Sequence, residues 1–151
     1  MDSLTQIVLG AGVGEAVLGR KIGNKAIVWG AIGGTIPDLD VFLQFFLSDI
    51  HALYLPRSFS HSILFFLLIS PALAFLVQKI HKKCQVSFTE WTFYFFMVTY
   101  THAILGSFTS WGTHLFWPLP WRIRFNNIFV VDPLYTVPFL LCIVVLMWYK
   151  R

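Results

Sequence analysis

The chain of 151 residues is 57% apolar and 12% charged, with 16 phenylalanines and a formal net charge of +4. Soluble domains carry roughly 25% charged residues, so the composition excludes one and indicates a single integral membrane domain, residues 1–151. Nucleic acid is excluded as a partner, because the lysines and arginines gather at the ends of apolar runs, where membrane topology requires them.

Met1-Asp2-Ser3 lacks the basic start of a secretory signal, so no cleaved leader is expected. Leu4 to Leu18 is apolar and holds Gly10, Ala11, Gly12, Gly14 and Ala16. Small residues let helix backbones approach closely in lipid, so this run reads as a helix packed on a neighbour. A basic turn is expected from Gly19 to Lys25, followed by a helix from Ala26 to Ile36 that ends at Pro37. A short apolar helix is expected over Val41 to Leu47, and a polar connection from Ser48 to Ser58. Phe59 to Val77 and Trp91 to Phe108 read as clear spans, joined through the basic segment Lys79–Lys83. Thr109 to Pro120 is a loop with Trp111, His114 and Trp117, a composition suited to the membrane interface. Trp121, Ile123 and Phe125 alternate with Arg122 and Arg124 ahead of Asn126-Asn127, the pattern of a tight hairpin. The last span begins at Asp132-Pro133 and runs to Tyr149. Cys84 and Cys142 form no CxxC pair and no disulfide framework.

The expected fold is therefore all-α, a small membrane bundle of about four to five transmembrane or half-membrane helices. A short β-hairpin is expected in the outer loop 121–131. With the turn after the first helix cytoplasmic, Arg20, Lys21, Lys25, Lys79, Lys82, Lys83, Lys150 and Arg151 lie inside, and Arg57, Arg122 and Arg124 outside. That distribution places the N-terminus outside and the C-terminus in the cytoplasm.

Within the apolar run Ala26 to Leu47 the only charges are Asp38 and Asp40, in Thr35-Ile-Pro-Asp-Leu-Asp40. A carboxylate at membrane depth costs at least a few kcal/mol and is a functional-site hypothesis by default. The bland reading is a wet loop in which both aspartates cap the next helix. Topology brings Asp38, Asp40, His61 and His102 to one side of the membrane, while Lys79–Lys83 face the other. Two carboxylates and two imidazoles make a mixed nitrogen and oxygen set, suited to zinc, manganese or iron rather than calcium. A metal there lowers the pKa of a bound water, and a second carboxylate can hold or deprotonate that water.

These residues also carry a resemblance. Met1-Asp-Ser-Leu-Thr5, Thr35-Ile-Pro-Asp-Leu-Asp40, Arg57-Ser-Phe-Ser-His-Ser62, Thr101-His102, Thr109-Ser-Trp-Gly-Thr113 and Asn127-Ile-Phe-Val-Val-Asp-Pro-Leu-Tyr135 occur in order over nearly the whole chain. The chain resembles the bacterial membrane-bound, LexA-regulated metal-dependent hydrolases. The resemblance implies a multi-pass inner-membrane hydrolase, with Asp38, Asp40, His61 and His102 as metal ligands and Asp38 and Asp40 as the catalytic pair. Arg57, Ser60, Thr101 and Asp132 are its supporting polar residues. The expected metal is zinc or manganese, and the expected partners are the bilayer and a substrate of open identity, with a lipid-linked one among the candidates.

Three positions depart from the family pattern. Pro56-Arg57-Ser58 stands where His-Arg-Gly is usual, Gly106 where an aspartate follows Thr-His by one turn, and Gln6 where many members have histidine. His51 or His114 can substitute in space, or the site has lost its metal. The competing reading is a non-catalytic membrane scaffold or partner-binding protein, in which the same residues form a buried polar network.

Overall fold

The computed structural model describes residues 2–40, 59–82, 84–129 and 131–149, and these form five α-helices. Helix α1, Ser3–Ile22, starts where Asp2 caps it: its carboxylate accepts from the Thr5 amide at 3.2 Å and from the Thr5 hydroxyl at 2.6 Å. The expected basic turn over Gly19–Lys25 is shorter than the sequence suggested. α1 continues through Arg20 and Lys21, and the chain reverses at Gly23, whose φ of 59° a residue without Cβ adopts freely. Helix α2, Asn24–Thr35, then runs back along α1.

A seam of glycines joins the two. A Cβ built on Gly10 would sit 2.3 Å from the Gly30 carbonyl oxygen, and one on Gly30 would sit 2.2 Å from that of Gly10. Backbone therefore lies directly on backbone, the close approach small residues permit in membrane helices. α2 tightens into a 3₁₀ turn over residues 36–40. Pro37 has no amide hydrogen with which to continue the α-helical ladder. The short helix expected over Val41–Leu47 and the connection to Ser58 lie outside the described residues.

Helix α3, Ile63–Ile80, is capped by Ser62, which accepts from the Phe65 amide at 3.1 Å, and carries Pro71 inside it. Its mean hydropathy of 2.2 over 18 residues makes it, among the described residues, the one helix long and apolar enough to cross a membrane. Helix α4, Phe88–Ser107, opens on a capping box between Ser87 and Glu90, and Glu90 also pairs with Lys21 of α1. Helix α5, Pro133–Tyr149, is apolar but only 17 residues long. Asp132 accepts from the Leu134 amide at its start.

α4 is the central element. Trp91, Tyr94, Phe95 and Val98 are buried against Leu18, Ala26, Ala74 and Val77, and the Tyr94 hydroxyl donates to the Ala26 carbonyl. The other side of the molecule is apolar too: Leu67, Leu68, Phe75 and Leu76 of α3 and Leu141, Val145 and Trp148 of α5 all point outward.

No hairpin forms within 121–131 among the described residues. Asn126 does take the positive φ of a turn, 56°, but the strand partner is different. Ile123 makes an isolated antiparallel bridge with Thr113. The Phe125 amide donates to the Ser107 carbonyl at 2.9 Å, and that of Asn127 to Phe108 at 2.9 Å. The last carbonyls of a helix have no partner inside it, and these acceptors at the end of α4 draw the segment in. The result is a cover folded over the end of α4.

Candidate metal centre

Three of the sequence-identified residues meet at that end of the bundle. Asp38 comes from the 3₁₀ turn after α2, His61 from the turn that leads into α3, and His102 from the last third of α4. His61 is 4% exposed and His102 1%. Asp38 Oδ1 lies 3.6 Å from His61 Nε2 and 3.5 Å from His102 Nε2. The two Nε2 atoms are 3.3 Å apart.

The opposite ring nitrogens fix what those atoms are. His102 Nδ1 faces the Gly34 carbonyl at 2.7 Å, and a carbonyl only accepts, so Nδ1 carries the hydrogen. The Ser60 hydroxyl donates to Asp40 Oδ2 at 2.5 Å, which leaves its oxygen to accept from His61 Nδ1 at 2.9 Å. With its hydrogen on Nδ1, each ring in its neutral form turns an Nε2 lone pair toward Asp38. Three electron-rich atoms at this spacing repel one another unless a cation or a proton sits among them.

The spacing suits a metal ion. In a tetrahedral shell with bonds of about 2.0–2.1 Å, neighbouring ligand atoms stand about 3.3–3.4 Å apart. The three contacts here span 3.3 to 3.6 Å. The acceptors that orient each imidazole, a backbone carbonyl and a hydroxyl backed by a carboxylate, are those usual behind metal-binding histidines. A proton can fill part of the same role.

A small cavity opens at the triad, lined by Gln6, Asp38, His61 and His102 together with Gly106, Thr109, Gly112 and Thr113. Its free volume of about 10 Å³ is near the size of one water or one ion. Two of these lining residues also have a buried side-chain oxygen without a hydrogen-bond partner, Asp38 Oδ2 and Gln6 Oε1.

The remaining candidates divide. Asp40 stays behind His61, with its Oδ2 3.7 Å from Nδ1 rather than beside the other ligand atoms. Ser60 links the two. Thr101 turns away from the cavity and donates to the carbonyls of Met97 and Val98. Asp132 caps α5 instead of joining the cluster. Arg57 and His51 lie outside the described residues, and His114 is not among the residues that line the cavity. Sequence reasoning did not find the Gly34 carbonyl, since no side chain marks it. Gln6 registered only as a departure from a pattern, although a lone amide in an apolar helix was a signal in itself.

The chain matches the YdjM inner membrane protein family over residues 1–151. It belongs to that family. An inner-membrane protein has hydrocarbon as its outer solvent, which accounts for the apolar outward faces of α3 and α5. The family description names a membrane and no reaction. No curated protein and no solved structure matches the chain.

Proposed function

We propose that the protein is a metal-dependent hydrolase of the bacterial inner membrane, with a zinc or manganese ion held by Asp38, His61 and His102. The observation that carries this reading is the meeting of one carboxylate oxygen and two Nε2 lone pairs at ligand spacing, each ring fixed from behind. A bound divalent ion would supply Lewis acidity and lower the pKa of a neighbouring water.

The protein's own groups do the rest. Asp38 would hold the ion with Oδ1, and its Oδ2, buried without a hydrogen-bond partner on a residue that lines the cavity, would be free to accept a proton from water. Asp40 acts through Ser60, keeping the proton of His61 on Nδ1. It is a positioning residue rather than a ligand. The order of lysines and arginines along the sequence, eight against three under the expected topology, supports a multi-pass chain with its N-terminus and site outside and its C-terminus in the cytoplasm. A site at this depth fits a substrate carried on a lipid.

The second reading keeps the cluster as a polar fastener without catalysis. It is favoured by the bonds that tie helices together regardless of metal: Gln6 to the His102 carbonyl at 3.4 Å, and His102 to Gly34. The two readings separate on purified, detergent-solubilised protein. About one divalent ion per chain, with cleavage of ester or phosphoester probes that stops on chelation and returns with metal, supports the hydrolase. Metal without turnover of any probe supports a metal-fastened scaffold, and no metal after gentle purification supports the plain polar network.

A further inference from the structure

Three protein ligands leave a divalent ion one position for the water a hydrolase activates and, for an ion that takes five or six ligands, room for another donor. We propose that Gln6 of α1 is that donor, its side-chain amide oxygen serving as a fourth protein ligand beside the water position and setting which metal is held. This rests on the metal-site reading above and adds a helix to it.

The orientation of the amide is determined by its neighbour. Gln6 Nε2 faces the His102 carbonyl at 3.4 Å. Turning the amide over would set two oxygens against each other, so the NH₂ belongs on that side. Oε1 consequently points the other way, and it is buried with no partner on a residue only 2% exposed. Gln6 lines the same cavity as Asp38, His61 and His102. Buried amide oxygens almost always have a partner, and the open valence in this cavity is that of a cation.

The helix end that carries Gln6 is also tied down. The Thr5 hydroxyl bonds Asp2 at 2.6 Å and Thr136 of α5 at 2.5 Å, so the first turn of α1 is fixed on two sides. Rigidity of that kind is what a ligand needs and what a merely space-filling glutamine does not. An amide oxygen is a neutral, hard donor, and carbonyl oxygen suits manganese better than imidazole does, whereas imidazole suits zinc. Gln6 therefore tips a two-histidine, one-carboxylate set toward manganese.

The test uses the full chain in detergent, as wild type and as Gln6→Leu, Gln6→Glu and Gln6→His. Manganese and zinc affinities are measured by competition with a chelator, and cobalt is added as a spectroscopic probe of the ligand shell. Gln6→Leu should weaken manganese by at least about tenfold, the smallest loss seen when even outer partners are removed. Gln6→Glu keeps an oxygen at the site and should hold manganese at or above the wild-type level. Gln6→His should favour zinc over manganese, and the cobalt visible bands should move in the Leu and His variants. If Gln6→Glu falls as far as Gln6→Leu, the NH₂ bond to His102 is what matters and the proposal is wrong. Unchanged cobalt bands in Gln6→His overturn it as well, and that comparison still decides if Gln6→Leu does not fold. Wild-type protein that binds none of the three metals removes the metal-site reading and this one together. Wild-type binding that no Gln6 variant alters removes this one alone.

Discussion

Gly34→Ala is the most demanding single perturbation. A Cβ on Gly34 would lie 2.6 Å from the Gln6 carbonyl oxygen and 3.2 Å from the Gly10 Cα. Both neighbours are backbone, so no side chain can rotate out of the way and α1 and α2 must separate. Overpacking of this kind costs about 1–3 kcal/mol. Alanine returns about 0.8–1.0 kcal/mol of helix propensity relative to glycine, and the net destabilisation is about 0–2 kcal/mol. The larger effect is local. The Gly34 carbonyl accepts from His102 Nδ1, and a shift of α2 breaks the contact that fixes the ring. Loss of such an outer partner lowers metal affinity about 10–100-fold.

Gly33→Ala is the matched control. It carries the same propensity gain, but its new Cβ meets only side-chain atoms of Phe95 and Val98, at 3.2 Å, which can give. Thermal unfolding in detergent and metal affinity by chelator competition are measured on both variants. Gly34→Ala should fall below Gly33→Ala in affinity by more than in stability. Equal behaviour of the two variants in both assays would refute the claim that the glycine seam positions the site.

Asp38→Asn keeps volume and removes charge, so it should abolish metal retention while leaving the far-ultraviolet circular dichroism unchanged; retention at matched expression would sink the site. Ser60→Ala breaks the link between Asp40 and His61 and should weaken metal about 10–100-fold without abolishing it. Gly106 lines the cavity, and a Cβ there meets only the Thr113 methyl at 3.0 Å. Gly106→Asp should therefore lose stability in chelator, by about 2.5–3.5 kcal/mol if the carboxylate stays unpaired at membrane depth, and regain it with added manganese or zinc. A reporter after Arg151 or within Lys79–Lys83 should read cytoplasmic, and one in the Thr113–Pro120 loop should read outside.

Much of the helical plan was legible because apolar runs and their polar borders are local signals. The starts were less legible: the spans were read from Phe59 and Trp91, whereas the caps Ser62 and Ser87 start α3 at Ile63 and α4 at Phe88. The turn at Gly23 was read too broadly because the basic residues Arg20 and Lys21 resemble a connection, whereas a helix end facing water accommodates them. The hairpin reading failed for a different reason. Alternation in 121–125 reports an extended segment but not its partner, and the partner is the chain leaving α4. At the site, Asp38, His61 and His102 were legible as chemistry-bearing residues in an apolar chain. The separate position of Asp40, one residue from Asp38, was not: the 3₁₀ turn sends it behind His61, while Asp38 faces the cavity.

The groups around the cavity come from far apart in the chain: Gln6 on α1, Asp38 after α2, His61 before α3 and His102 on α4. No two neighbouring elements contain the set, so a chain with any of these segments undocked offers an ion at most part of it. Binding then reports on assembly. An ion at a hundred times its Kd would add about 2.7 kcal/mol to the assembled state and almost nothing to a partly docked one. In a cell, scarcity of that ion would lower the amount of intact protein as well as its occupancy, because quality-control proteases act on the undocked fraction.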